Sequence, residues 1–233
     1  MIGLGTIINT LAIIAGGVCG GLFGRFLKEN AQDTLTKVCG VSTLFIAISG
    51  ALEGLETVSN GSMLVIICLA IGAFTGELLD LEGAFEGFGQ WLKIKTGNAK
   101  DRGFVDAFVT ASLTVCIGAM AIVGAIQDGL TGDYSILAAK AVLDLIIIMV
   151  MTCSMGRGAA FSAIPVAVFQ GSITVLAGLV KPVMTDAALA NLSLVGNVLI
   201  FCVGVNLVWG KKIRVANLLP AVVAAVIAAF LPI

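Results

Sequence analysis

Histidine is absent from all 233 residues, and that absence removes a whole set of chemistries. Imidazole-based triads and dyads, HExxH zinc sites and haem held by histidine each need a side chain the protein does not have. Charge is scarce: Asp, Glu, Lys and Arg make up 12% of the chain, against about 25% in a soluble domain. No CxxC spacing joins the six cysteines, Cys19, Cys39, Cys68, Cys116, Cys153 and Cys202, and each lies in an apolar stretch. They read as buried packing thiols rather than as a metal, redox or disulfide framework. No cofactor and no metal site are expected. What is present is apolar: 59% of residues are hydrophobic and the mean hydropathy is +1.11. The length accommodates one polytopic membrane domain over 1–233, with no room for a sizeable soluble domain.

Apolar windows fall at 3–24, 38–55, 63–80, 104–127, 136–153, 159–179, 192–209 and 215–232. Lipid offers the backbone no hydrogen-bond partners, so such segments span as helices or as a closed barrel. The windows lack period-2 alternation and are about twice the length of a barrel strand. The fold class expected is therefore all-α, a polytopic helical bundle of about eight transmembrane helices.

The first window has no basic residue before it, which argues against a cleaved signal peptide. Arg25 follows it, with Lys28 and Lys37 in the same loop; Lys93, Lys95, Lys100 and Arg102 lie in the third, Arg157 in the fifth, and Lys211, Lys212 and Arg214 in the seventh. Only Lys140, inside a span, and Lys181, in the sixth loop, depart from the odd-loop pattern. The positive-inside rule then puts the odd loops in the cytoplasm and both termini outside. Trp91 and Trp209 lie within two residues of Lys93 and Lys211, where an interfacial belt belongs.

The one long loop, 81–103, repeats Leu81, Phe85, Phe88 and Leu92 at helical spacing and reads as an amphipathic interfacial helix on the cytoplasmic side. Two pairs of motifs recur at an offset of 55: Gly17-x-x-x-Gly21 with Gly72-x-x-x-Gly76, and Ser162-x-x-Pro165 with Asn217-x-x-Pro220. They are consistent with parallel helical-hairpin repeats, a device common in secondary transporters. Gly16, Gly17, Gly20, Gly21 and Gly24 give the first helix a flat side. That side serves either close packing within the chain or a homodimer interface. Asn9 lies on the same face.

Two groups of residues are candidates for a pathway. The fourth window carries Asp106, Thr110, Thr114, Gly118, Ala121, Ala125 and Asp128 at spacings of three and four, a small and polar stripe along one face. Such a stripe lines a pathway or packs in a bundle centre. Gln127, Asp128 and Asp133 form an acidic, glycine-rich turn, read either as a cation collector or as helix capping. The second group is Lys140, Asp144 and Gln170. Asp144 and Gln170 each lie 12 residues from the Gly156-Arg157-Gly158 turn, about 18 Å from it at 1.5 Å per residue and so near mid-bilayer. Lys140 lies one helical turn from Asp144 and is placed for an i,i+4 pair. Such a pair either neutralises itself for packing or serves ion coupling.

The segment Gly118–Asp133, Lys140-x-x-x-Asp144, Phe161-Ser-Ala-Ile-Pro165 with Gln170-Gly171, and Ile213-Arg-Val-Ala-Asn-Leu-Leu-Pro220 together resemble the YqgA/YdfK-like family of bacterial inner-membrane proteins. Asn9-Thr10 and the glycines of the first helix belong to the same likeness, which covers essentially the full length. Ala119 stands where this family often has proline, which implies a less kinked fourth helix. The resemblance implies a multi-pass protein of the bacterial cytoplasmic membrane and brings no substrate.

Three functions fit the sequence. The first is a secondary transporter of a small solute or ion, with Lys140, Asp144, Gln170, Asp106, Thr110, Thr114, Gln127, Asp128 and Asn9 along its pathway. The others are a channel and a structural or regulatory homo-oligomeric membrane protein. No enzyme is expected, since there is no histidine, no GxGD-type aspartate pair and no nucleotide-binding loop. The partners expected are the lipid bilayer, a small solute or ion and a second copy of the chain, with no nucleic acid.

Overall fold

A computed structural model describes residues 2–231, apart from the side chains of Arg25, Glu29 and Ala119. The far end of the eighth window therefore lies outside the described residues. The chain forms α1 (Leu4–Phe23), α2 (Glu29–Thr57), α3 (Gly61–Leu79), α4 (Leu81–Lys95), α5 (Phe104–Cys116), α6 (Ala119–Thr131), α7 (Ser135–Met155), α8 (Ala163–Val175), α9 (Ala177–Val180), α10 (Asp186–Trp209) and α11 (Pro220–Ala228). Short 3-10 turns at Arg157–Ser162 and Val215–Leu218 lead into α8 and α11. Among the described residues, 6 helices are long and apolar enough to cross a bilayer, and α5 with α6 gives a seventh if the bent pair is one span. The eighth window holds a shorter apolar helix over Val215–Ala228. Large apolar side chains such as Phe45, Ile66 and Phe74 point outward, where acyl chains rather than water meet them.

The helices pair across long stretches of sequence: α1 with α7, α2 with α10, α3 with α11, and the α5–α6 pair with the Arg157–Ser162 turn and α8. Glycine makes the first of these close. A Cβ on Gly16 would sit 2.4 Å from Leu145 O, one on Gly20 2.3 Å from Met149 O, and one on Gly24 3.1 Å from Cys153 Cα. These contacts step along α7 by one turn at a time, so the backbones of α1 and α7 touch along a shared seam. Gly17 meets Ala160 in the same way, at 2.2 Å, while Gly21 has open space. The glycine face considered above as an association surface is thus filled almost completely from inside the chain. Gly16→Ala is expected to destabilise the fold by about 1 kcal/mol or more through overpacking, whereas Gly21→Ala leaves it unchanged. Thermal unfolding of the purified variants in detergent distinguishes them, and equal midpoints would refute the seam.

The repeat motifs occupy related contacts. Gly17 packs on the turn that opens α8, and Gly72 and Gly76 pack on Ala221 and Asn217 at the start of α11. The likeness stops at those two pairs, because α1 has α7 as its principal partner and α3 has α11.

The fourth window is not one helix. It breaks at Ile117–Gly118, and the axes of its two halves differ by 62°. Gly118 has φ +150° and ψ 147°, a backbone region essentially confined to glycine. The expectation of a less kinked helix is overturned. Proline is not needed for the break, because position 119 begins a new helix, where proline would also be tolerated. The small polar stripe is cut in two by the same bend.

Helix α4 is the amphipathic segment of loop three. Leu92 is buried, Gly89 rests on Phe108, and Phe88 stacks beside Trp91 with ring centroids 5.7 Å apart. Its first turn is fixed to the α10–α11 loop: Glu82 Oε2 accepts the Ala216 N–H at 2.9 Å, and the Glu82 N–H donates to Asn217 Oδ1 at 2.7 Å. Lys211 pairs with Glu82 at 2.8 Å and also with Glu86; Arg214 pairs with Glu77 at 2.7 Å and Asp80 at 2.6 Å. Burial works to lower the Lys211 pKa, but hydrogen bonds and charge from Glu82 and Glu86 outweigh it and the net shift is upward. A raised lysine contributes stability that is fully present below its ordinary value of about 10.4 and is lost only above it. The stability contributed by Lys211 is therefore indifferent to pH changes near neutrality.

Candidate functional site

A buried polar cluster sits inside the bundle where the α5–α6 break meets α1, α7 and α8. Lys140 and Asp144 project from α7 four residues apart, one turn of helix on a single face. The Lys140 ammonium donates to Asp144 Oδ2 at 2.5 Å and to the Val115 carbonyl at 2.9 Å. That carbonyl is free because α5 ends at Cys116, so the last-turn carbonyls lose their helical donors. A cation at this end also meets the negative pole of α5. Lys140 is 7% exposed and Asp144 3%, so neither reaches water by snorkelling. The residues of α7 are otherwise almost wholly apolar, and the pair must neutralise itself in place.

Two amides complete the cluster. Asn9 of α1 lies beside Asp144 and donates from Nδ2 to Gln170 Oε1 of α8 at 3.2 Å. Both residues are fully buried, yet Asn9 Oδ1 and Gln170 Nε2 have no protein partner. A buried unpaired acceptor and donor each cost about 1–3 kcal/mol, so the cluster is tied together without being saturated. One turn toward the far end of the bundle, Thr6 and Thr174 bond hydroxyl to hydroxyl at 3.2 Å. Beyond them Asp128, fully buried, accepts the N–H groups of Gly3 at 3.2 Å and Gly5 at 3.0 Å.

The opposite side is open. A cavity of about 500 Å³ is lined by Asp33, Lys37, Glu82, Asp106, Thr110, Leu113 and Lys211, among others. These residues belong to the basic-loop face of the molecule. The cavity reaches Leu113, two residues short of the carbonyl held by Lys140. A second, mostly apolar cavity of about 480 Å³ flanks the break itself, between Cys116, Ile117 and Gly118 on one side and Pro165, Phe169, Leu192 and Val222 on the other.

The residues predicted for a pathway therefore separate. Lys140, Asp144, Gln170 and Asn9 meet in one cluster. Asp106 and Thr110 line the open cavity on the basic face. Thr114 bonds the Thr110 carbonyl of its own helix at 2.8 Å. Asp128 caps the first turn of α1, and Gln127 donates to Asp133 at 2.6 Å. Asp133 in turn accepts the Ser135 N–H at the head of α7, a bond that holds its carboxyl below the usual range. In this structure the carboxylates of the acidic turn make capping contacts. The sequence reading missed Thr6, whose signal was its position one turn before Asn9, and Glu82, whose carboxylate gives no sign in the sequence that it is buried.

The chain matches, over residues 4–230, a family described as "Protein of unknown function (DUF554)". It is 32% identical over 217 residues to an uncharacterised membrane protein, YdfK, of Bacillus subtilis (strain 168), which covers 93% of this chain and 91% of the relative. It is 30% identical over 226 residues to the uncharacterised protein YqgA of Escherichia coli (strain K12), covering 95% and 94% respectively. No solved structure matches.

Proposed function

The chain belongs to the DUF554 family, and from that premise we propose that it is a secondary transporter of a small solute or ion, working by alternating access around the α5–α6 break. Its place is the bacterial cytoplasmic membrane, with the basic loops and the open cavity in the cytoplasm and both termini outside. The observation that carries this is the pairing of a broken helix with an unsaturated buried cluster. Irregular backbone at bilayer depth survives only inside protein or beside a cavity, and transporters place their sites at such breaks. The cavity on the basic face approaches the cluster as far as Leu113 without being lined by any of its four residues, and on the other side Thr6–Thr174 and Asp128 bind α1 to α8 and α6. A channel would offer one path open to both faces. A pathway closed at one end is the reading we favour, with the apolar cavity beside Gly118 as the room in which the halves would swing.

Alternating access is tested with Thr174→Cys in a chain whose native cysteines have been replaced, reconstituted in liposomes. A membrane-impermeant maleimide is expected to label it from the outer face in the outward-open state, and Thr110→Cys from the inner face. Failure to label position 174 from either face would sink the transporter and leave a sealed packing core. Rapid labelling from both faces together with ion conductance would favour the channel.

A further inference from the structure

We propose that the ion exchanged at this site is the proton, bound and released by the Asp144 carboxylate; this rests on the transport reading and specifies its coupling. Lys140 decides against a metal ion. Its ammonium already occupies the carboxylate, 2.5 Å from Oδ2, and also holds the Val115 carbonyl. Among the described residues Asn9 Oδ1 is the one unpartnered oxygen of the cluster, too few to complete a cation's coordination shell. A proton needs no coordination shell and adds to the carboxylate while the ammonium stays where it is.

The surroundings supply stations for a route. Beyond Asp144 and the Asn9–Gln170 pair, two further buried polar contacts lie in sequence along α1 and α8, the Thr6–Thr174 hydroxyls one turn on and Asp128 at the head of α1, as separate hydrogen bonds. Their members come from α1, α6 and α8, so the contacts exist only where these helices meet. The unpaired Asn9 Oδ1 and Gln170 Nε2 lie among them, an acceptor and a donor ready for a hydronium or water passing between the hydroxyls and Asp144. On the other side the cytoplasmic cavity stops at Leu113, with Asp106 on its wall.

The groups facing Asp144 are few. Its own helix supplies Lys140. The end of α5 supplies the Val115 carbonyl and the Cys116 thiol. Among the described residues, α1 and α8 supply the neutral Asn9 and Gln170. Helix α6 and the Arg157–Ser162 turn, also packed on α7, carry Asp128 near the far end of α6 and Arg157 at the opposite end of α7. Helix α2, also packed on α7, carries its charged residues Glu29, Asp33, Lys37, Glu53 and Glu56 near its two ends.

The step balances as follows. A proton from external water forms an O–H bond on the Asp144 carboxylate, Lys140 keeps its own proton, and the charge of the pair goes from zero to +1. The same O–H bond breaks when the site faces inward, and the proton passes to water in the cytoplasmic cavity. In the loaded state Lys140 has lost its anionic partner, so its bond to Val115 at the negative pole of α5 becomes its main anchorage. Loading is thereby transmitted to the half-helix that ends at the break.

Infrared difference spectroscopy on the protein in phosphatidylethanolamine–phosphatidylglycerol liposomes reads this directly. Acidification is expected to produce a protonated-carboxyl C=O band that is lost in Asp144→Asn, shifted in frequency in Asp144→Glu and retained in Glu53→Gln, an exposed residue outside the site. The Asp144→Glu variant keeps the charge, and so serves if the asparagine variant does not fold. A band unaffected by both Asp144 variants, or no band in the unmodified protein, overturns the proposal. If position 174 labels from outside but the band is independent of Asp144, proton coupling fails while transport stands. The reverse combination sinks transport and retains an exchangeable carboxyl.

Discussion

Lys140→Met is expected to lower stability by about 3–5 kcal/mol, the usual effect of stranding one half of a buried ion pair. Two losses combine in this variant. Asp144, 3% exposed, is left as a carboxylate with only Asn9 beside it, and the Val115 carbonyl at the break loses its donor. The double variant Lys140→Met with Asp144→Leu should recover most of the loss, because an intact buried pair gains little over an apolar pair of similar volume. Unfolding midpoints in detergent for the wild type, the single and the double variant decide this. A single variant within about 1 kcal/mol of the wild type would show that the pair is wetter and weaker than its geometry states. The double variant also separates roles: it should fold, yet lose the Asp144 infrared band and any proton-driven uptake.

Gly118→Ala is expected to cost about 1–3 kcal/mol, for a reason unrelated to crowding. A Cβ at this position would meet nothing within 4 Å, so the penalty is purely conformational, set by φ +150° and ψ 147°. The chain escapes it only by changing the bend, moving Val115 away from Lys140 or α6 away from Leu137, which packs on Gly124. Labelling of Thr174→Cys in this background should slow markedly from the outer face, since the swing of the halves is restricted. Unchanged stability together with unchanged labelling would remove Gly118 as the hinge.

Periodicity and depth were enough to find α7 and to place Lys140 beside Asp144, since an i,i+4 pair is a property of one helix. The same arithmetic set Gln170 at the depth of Asp144. Loop three was visible because water and lipid impose different demands on its two faces. What covers the pair was not visible. Asn9 meets Gln170 across 161 residues, and in helices that are apolar all round no pattern of hydropathy records which neighbour each face will choose. The break was hidden for a related reason. Gly118 fitted the small-residue stripe of a straight helix equally well, and the proline that would have marked a discontinuity is absent. Asp128 was placed on a polar stripe and in an acidic turn, but its partners, the backbone N–H groups of Gly3 and Gly5, carry no sequence signature at all.

The pairing of α1 with α7 also governs how the protein is made. When α1 leaves the ribosome its partner is still about 110 residues from being synthesised, a delay of roughly 5–25 s at 5–20 residues per second. For that interval Asn9 and Thr6 are in the nascent chain with neither Gln170 nor Thr174 in existence, and the glycine seam has nothing to close on. The same holds for α2, which waits for α10. The first half of the chain is thus made before the helices that cover it, and a truncation before α7 leaves Asn9 and the glycine seam of α1 without the partners that fill them.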